Sequence, residues 1–216
     1  MSKRKWLLAS KIITALTAWV ALTIQLFILI DNTPENGMTT LQAIGRFLLF
    51  FTVLCNLLVA FSLTFVILLP ASGPGLFFAK PSSIAAVAFY IFIVGLVYNT
   101  ILRNIWKPTG LQQLADELLH VAVPVFYTVF WLLFAPKGSL KWWHPFRWLA
   151  FPAVYLVYAM MRGATEGIYA YPFLNVTELG YIRVFINCAG LLIVFIIIGF
   201  LFVAIDRMIN HQVNRT

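Results

Sequence analysis

Groups able to do chemistry are scarce in this 216-residue chain, and most of them fall at one level. Histidine is the side chain that moves a proton near neutral pH. A hydroxyl becomes a nucleophile when such a base stands beside it. Thr52 lies two turns into one long apolar run, and His120 lies nearly two turns into another. At about 1.5 Å per residue both sit roughly 9–12 Å inside the same boundary. The pair suits nucleophilic catalysis. Asn56 follows Thr52 by one turn, so its amide is a candidate donor to a developing oxyanion. Asn99 and Asn187 approach the same layer and are further candidates, and Asp116, one turn before His120, is a candidate to orient the imidazole. Arg46, Arg103, Arg162 and Arg183 lie along the same side, and guanidinium suits a carboxylate. Each group also has a plainer reading. A lone intramembrane Asn or Gln is often interhelical glue worth about 0.6 kcal/mol. Arginines snorkel to headgroups, and Asp116 with Glu117 can simply face water at a helix end.

His120 has a second feature. Pro124 stands four residues later and lacks the N–H that would bond the His120 carbonyl. A weakened or kinked helix, with a free acceptor at the histidine, is expected there.

Metal chemistry is disfavoured. A zinc site wants three or four His, Cys or carboxylate ligands, and the layer offers one histidine and two adjacent acids. His144 and His211 belong to the opposite side of the membrane, which also excludes bis-histidine haem. Cys55 and Cys188 lie inside apolar runs and form no CxxC motif. No cofactor is expected, and no GxSxG nucleophile elbow is present.

The elements that must position these groups follow from composition. Hydrophobic residues make up 62% of the chain and charged residues 10%, against about 25% charged in soluble domains. That excludes a soluble enzyme, a disordered chain and a nucleic-acid-binding domain. Continuous apolar runs predict an all-α integral membrane protein. Six spanning helices are expected at about 6–30, 44–69, 83–102, 114–135, 146–162 and 181–205, in one domain covering 1–216. The first run is too long for a signal-peptide core and reads as a retained helix. Turn and breaker signals separate the runs, among them Pro70-Ala-Ser-Gly-Pro74 and Pro136-Lys-Gly138.

Orientation follows from Lys and Arg in the loops. One side carries Lys3, Arg4, Lys5, Lys11, Lys80, Lys137, Lys141, Arg147, Arg207 and Arg215 against Asp206. The other carries Arg46, Arg103, Lys107, Arg162 and Arg183 against Asp31, Glu35, Asp116, Glu117, Glu166 and Glu178. The net charge of +8 thus divides into +9 inside and −1 outside. Both termini are expected in the cytoplasm, with 211–216 a short cytoplasmic end and the polar layer towards the outer leaflet. Trp142, Trp143 and Trp148, beside Lys141 and Arg147, read as an interfacial belt.

Segment 46–58, RFLLFFTVLCNLL, resembles the FFTxxxNLL stretch of the bacterial six-helix family called Pr-six-Pr. So do Val97-Tyr-Asn99 with Leu102-Arg103, His120-Val-Ala-Val-Pro124, Phe134-Ala-Pro-Lys-Gly138, Arg162-Gly163, Tyr169-Ala-Tyr-Pro-Phe173 and Leu179-Gly-Tyr181. That family is similar to the eukaryotic androgen-induced and androgen-dependent membrane hydrolases, which cleave fatty acid esters of hydroxy fatty acids through a threonine and a histidine. The resemblance implies Thr52 as nucleophile, His120 as general base, a membrane lipid or fatty acid ester as substrate, and a bacterial inner membrane as location. Two rival readings use the same layer: a lipid- or small-molecule-binding protein without chemistry, and a transporter. The second is disfavoured by the lack of an internal repeat and of a polar track through the inner half.

Overall fold

The computed structural model describes residues 3–35 and 37–213. Arg215, counted above among the inner cations, and the rest of 214–216 lie outside the described residues. The described chain is helical with no strand. Five helices are long and apolar enough to cross a membrane: Lys3–Asp31, Phe51–Leu68, Pro81–Asn104, Gly110–Phe134 and Val176–His211. The chain divides into two compact units, Met1–Pro136 and Lys137–Thr216.

In the first unit, four helical segments pack in a ring. These are α1 (Lys3–Asp31), α3 (Phe51–Leu68), α5 (Pro81–Thr100) and α7 (Val123–Phe134), in contact pairwise as α1·α3, α3·α5, α5·α7 and α7·α1. Small residues let the backbones approach. Ala18, Ala21, Ala60, Ala85 and Ala88 are fully buried beside Val59, Phe89, Ile91 and Val123. In lipid there is no hydrophobic drive between helices, so this close van der Waals packing holds the bundle together. Trp19 adds an edge-to-face contact with Phe61 at 5.0 Å and donates its indole N–H to the Thr64 hydroxyl at 3.0 Å.

Two short helices join the ring. The helix expected at 44–69 is in fact two, α2 (Thr40–Phe47) and α3, separated at 48–50. Thr39 and Gln42 form a reciprocal capping box that starts α2. Such a cap is worth about 1 kcal/mol and fixes where the helix begins. Phe50 then adopts an extended backbone that restarts the chain as α3. The interruption falls inside the unbroken apolar string Phe47-Leu-Leu-Phe-Phe51, so hydrophobicity does not mark it. Thr52 consequently sits on the first turn of α3 rather than two turns deep. Ser72 caps the short α4 (Gly73–Phe78) by accepting from the Gly75 N–H at 3.1 Å.

The helix expected at 114–135 begins earlier and is not uniform. α6 (Gly110–Glu117) runs into a π-helical turn, Leu118–Ala122, and then into α7. Pro124 supplies the cause: its ring clashes with the carbonyl of residue i−4 and its nitrogen has no hydrogen, so the ladder widens by one residue.

In the second unit, the span expected at 146–162 is broken at Leu149 into α8 (His144–Trp148) and α9 (Ala150–Glu166). Pro152 is accommodated in the first turn of α9, where a missing N–H costs nothing. α9 ends at Gly167, whose φ of 69° is left-handed. α10 (Val176–Val213) is interrupted at Gly180, with φ 73° and ψ 159°, so its regular part starts at 181 as expected. Asp206, fully buried, accepts from the N–H groups of Gly138 (2.9 Å) and Leu140 (3.0 Å) and so fastens that loop to α10. Burial pushes the Lys137 ammonium down to about 8 against the pull of Asp206. Two of the three tryptophans expected to form a belt stand against cations. Arg147 lies over Trp143 at 4.9 Å and Arg207 over Trp142 at 5.3 Å.

Gly95 on α5 is where the ring is tightest around Pro124. An added Cβ would stand 2.9 Å from the Pro124 Cβ and 3.2 Å from the His120 carbonyl oxygen. Overpacking of this kind costs about 1–3 kcal/mol, more than the roughly 1 kcal/mol that alanine gains over glycine within a helix. Gly95→Val is therefore expected to lower the apparent Tm by several degrees in a thermal-unfolding scan in detergent. An unchanged Tm would show that α5 and α7 do not meet at this point.

Candidate functional site

The site is built around the carbonyls that Pro124 disturbs. In the π turn the Val123 N–H bonds to the Leu118 carbonyl. The next nitrogen belongs to Pro124 and donates nothing. The carbonyls of Leu119 and His120 thereby lose their regular partners, and in an apolar bundle an unsatisfied carbonyl is costly. Two asparagines from neighbouring helices take them up. Asn56 Nδ2 on α3 donates to Leu119 O at 3.2 Å, and Asn99 Nδ2 on α5 donates to His120 O at 3.3 Å. Each amide also bonds the carbonyl four residues earlier on its own helix, Thr52 at 2.9 Å and Gly95 at 2.7 Å. The free acceptor expected at the kink therefore exists, and Asn99 occupies it. The nitrogens of Asn56 and Asn99 are engaged with backbone, which places both residues as clamps on the histidine turn. Asn56 Oδ1 is buried with no hydrogen-bond partner among the described residues.

Held from two sides, His120 presents its ring to Thr52. Nε2 stands 3.2 Å from Thr52 Oγ1, and Nδ1 stands 2.9 Å from the Asp116 carbonyl oxygen. A carbonyl can only accept, so in the neutral ring Nδ1 carries the proton. Nε2 is then a lone pair aimed at the hydroxyl, and that bond forms only with Thr52 donating. This is the arrangement a general base needs. Thr52 is 8% exposed and His120 9%, so the pair lies beneath the surface. Asp116 meets the imidazole through its main-chain carbonyl. Its carboxylate Oδ1 lies further off, 3.8 Å from Nδ1.

One residue of the site escaped the reading of side-chain types. Tyr98 stacks flat on the His120 ring, with centroids 3.9 Å apart and planes 11° from parallel, and its hydroxyl donates to Asp116 Oδ2 at 2.6 Å. It fixes the plane of the imidazole and the rotamer of the aspartate together. Gln112 and Trp106 also direct donors at the Asp116 carboxylate. Gln112 in turn donates to Gln25 on α1 at 2.9 Å, which ties a third helix to the network. The sequence signal was position alone: Tyr98 adjoins Asn99 and is aromatic, which in an apolar helix also describes ordinary core.

The arginines separate by partner. Arg103 is ion-paired with Glu117 at 2.7 Å and lies over the Tyr98 ring at 5.4 Å. Arg46 contacts the Met38 sulfur at 3.6 Å and has no carboxylate partner among the described residues. Arg162, Arg183 and Asn187 belong to the second unit. There Arg162 pairs with Glu166 at 2.5 Å and donates to the Tyr158 hydroxyl at 3.0 Å. Arg183 is exposed. Asn187 donates to the Phe173 carbonyl at 3.0 Å, tying the turn before α10 to that helix. The first unit thus brings together Thr52, Asn56, Asn99, Asp116 and His120, with Tyr98 added. No group of three or more metal-ligating side chains occurs among the described residues.

The tautomer can be checked directly. In protein labelled with 15N-histidine, His120 is expected to show a protonated Nδ1 and a bare Nε2. Tyr98→Leu should mix the two tautomers, and a wild-type ring protonated at Nε2 would remove the base. No known family, curated protein or solved structure matches the chain.

Proposed function

We propose that this protein is an intramembrane lipid ester hydrolase of the Pr-six-Pr family it resembles, with a threonine nucleophile. The observation that carries the reading is the 3.2 Å approach of Thr52 Oγ1 to a His120 Nε2 whose other nitrogen is held by the Asp116 carbonyl. His120 takes the Thr52 proton while Oγ1 attacks the ester carbonyl carbon. The tetrahedral intermediate collapses, the imidazolium gives that proton to the departing alkoxide, the alcohol leaves, and the acyl group stays on Thr52 Oγ1 as an acyl-threonine. Water, deprotonated by His120, then attacks the acyl carbonyl, releases the acid and restores Thr52. The Asp116 carboxylate is the counter-charge for the imidazolium. With the Asn56 and Asn99 amides engaged, stabilisation of the oxyanion falls to the first turn of α3, where the helix dipole is positive. Fatty acid esters of hydroxy fatty acids are the substrate class the resemblance suggests. Of Arg46 and Arg103, Arg46 is the one with no carboxylate partner among the described residues, and it is the candidate for such a substrate's carboxylate.

A fluorophosphonate probe and a lipid-ester turnover assay on purified protein test this. Labelling and turnover are expected from wild type and, more weakly, from Thr52→Ser. Thr52→Ala should abolish both, and His120→Ala should slow turnover by about 10²–10⁴-fold. Probe labelling that persists in Thr52→Ala would sink the nucleophile. Lipid binding without turnover in wild type would leave a binding protein instead.

The reading places six crossings in a bacterial inner membrane, α9 with α8 forming the fifth, both termini in the cytoplasm and the Thr52–His120 pair towards the outer leaflet. The inside excess of Lys and Arg supports it. In a Cys55→Ala, Cys188→Ala background, a membrane-impermeant maleimide is expected to label Glu35→Cys in intact cells and Lys141→Cys only after lysis. The reverse pattern would invert the topology.

A further inference from the structure

At the other end of the first unit, α1, α3, α5 and α7 with α4 leave a cleft of about 240 Å³. It lies far from the histidine. Ser62, on its wall, is about 15 Å further along α3 than Thr52, at 1.5 Å per residue. The lining is apolar and aromatic, including Leu63, Phe78, Phe130 and Phe134. Its neutral polar groups satisfy each other. Ser62 donates to the Val59 carbonyl at 3.0 Å, and the Tyr127 phenol bonds the Ser62 hydroxyl.

One lining group does not fit that pattern. Lys11, two turns into α1, is half-buried at the cleft. It has no carboxylate partner among the described residues, and its recorded neighbour is the Phe130 ring at 6.0 Å, the limit of a cation–π contact. A cation set against an apolar cleft within a membrane-spanning helix marks a ligand site by default. The cleft is smaller than the roughly 300–1,000 Å³ of sites for drug-sized molecules. That volume suits a stretch of one acyl chain and not the two chains of a phospholipid.

We infer that this cleft binds a single-chain anionic amphiphile, its carboxylate on the Lys11 ammonium and its first methylenes against Phe130 and Phe134. The site is independent of Thr52 and His120 and of any ester chemistry there. A charge-assisted bond in a partly dry cleft is worth about tenfold in affinity. That sets the expected preference for an acid over the alcohol of the same chain.

The test uses the full chain in nanodiscs of uncharged lipid, with a diazirine-bearing dodecanoate and the matching dodecanol probe. Crosslinks on α1, α3 and α7 are expected, with the acid favoured about tenfold over the alcohol. That preference should vanish in Lys11→Gln, survive in Lys11→Arg and be untouched by Thr52→Ala. Equal labelling by acid and alcohol in wild type overturns the inference without requiring any variant to fold. So does a preference retained in Lys11→Gln. If phosphatidylglycerol in the disc abolishes labelling that excess dodecanoate fails to compete, the ligand is a lipid phosphate and the carboxylate assignment falls. Loss of acid labelling in Thr52→Ala would tie the signal to the ester site and overturn the independence of the two.

Discussion

A missing hydrogen on one nitrogen organises the first unit. Pro124 cannot donate, and the π turn before it hands the Val123 N–H to Leu118, so the carbonyls of Leu119 and His120 are left to other partners. In water that would cost little. Among apolar helices each such oxygen demands a donor, and only side chains of adjacent helices can supply one. Asn56 and Asn99 do so from two adjoining helices, which pins α3 and α5 to the same half-turn of the α6–α7 segment. Gly95 lets α5 approach closely enough for the second of these bonds. A local backbone defect has become the point of agreement of three helices.

The histidine ring inherits that rigidity. Its backbone is clamped at the carbonyl, its Nδ1 at the Asp116 carbonyl, and its face by Tyr98. An aromatic stack adds about 0.5–1.5 kcal/mol beyond burial, which is small for stability but enough to choose one ring orientation among several. Arg103, ion-paired with Glu117, lies over the same Tyr98 ring and ties it to the end of α6.

How much of this was legible depends on what kind of fact each element is. Apolar runs report membrane helices because length and composition alone decide them, and five of the six expected segments have counterparts long enough to cross. The Pro124–His120 relation was legible because it follows from covalent structure at fixed spacing. The common level of Thr52 and His120 was legible too, although its origin differs, since Thr52 opens α3 instead of lying inside a longer helix. The break at 48–50 was not legible, because Leu48, Leu49 and Phe50 carry no turn chemistry and only the capping box at Thr39 hints at a separate short helix. The work of Asn56 and Asn99 was hidden for another reason. An intramembrane amide reads equally as an oxyanion donor or as glue, and only knowing that two carbonyls stand open opposite them decides it. Tyr98 needed the ring geometry itself.

The placing of Asp116 bears on how such a pair operates where water is scarce. In the proposed reaction the imidazole becomes charged for an instant, and that charge must be met. A buried carboxylate with no other donors would meet it, but it would be costly to keep in the apolar bundle between turnovers. Here the neutral ring is fixed by a carbonyl at 2.9 Å, while the carboxylate waits at 3.8 Å among donors from Tyr98, Gln112 and Trp106. At about 4 Å and an effective dielectric near 20, a pair of unit charges attracts by about 4 kcal/mol. That is large enough to offset much of the imidazolium's desolvation, yet it acts only once the proton has moved. Orientation and charge compensation are thus supplied by two atoms of one residue. In the proposed reaction the carbonyl serves the resting state and the carboxylate the transition state, which is where differential stabilisation accelerates a step.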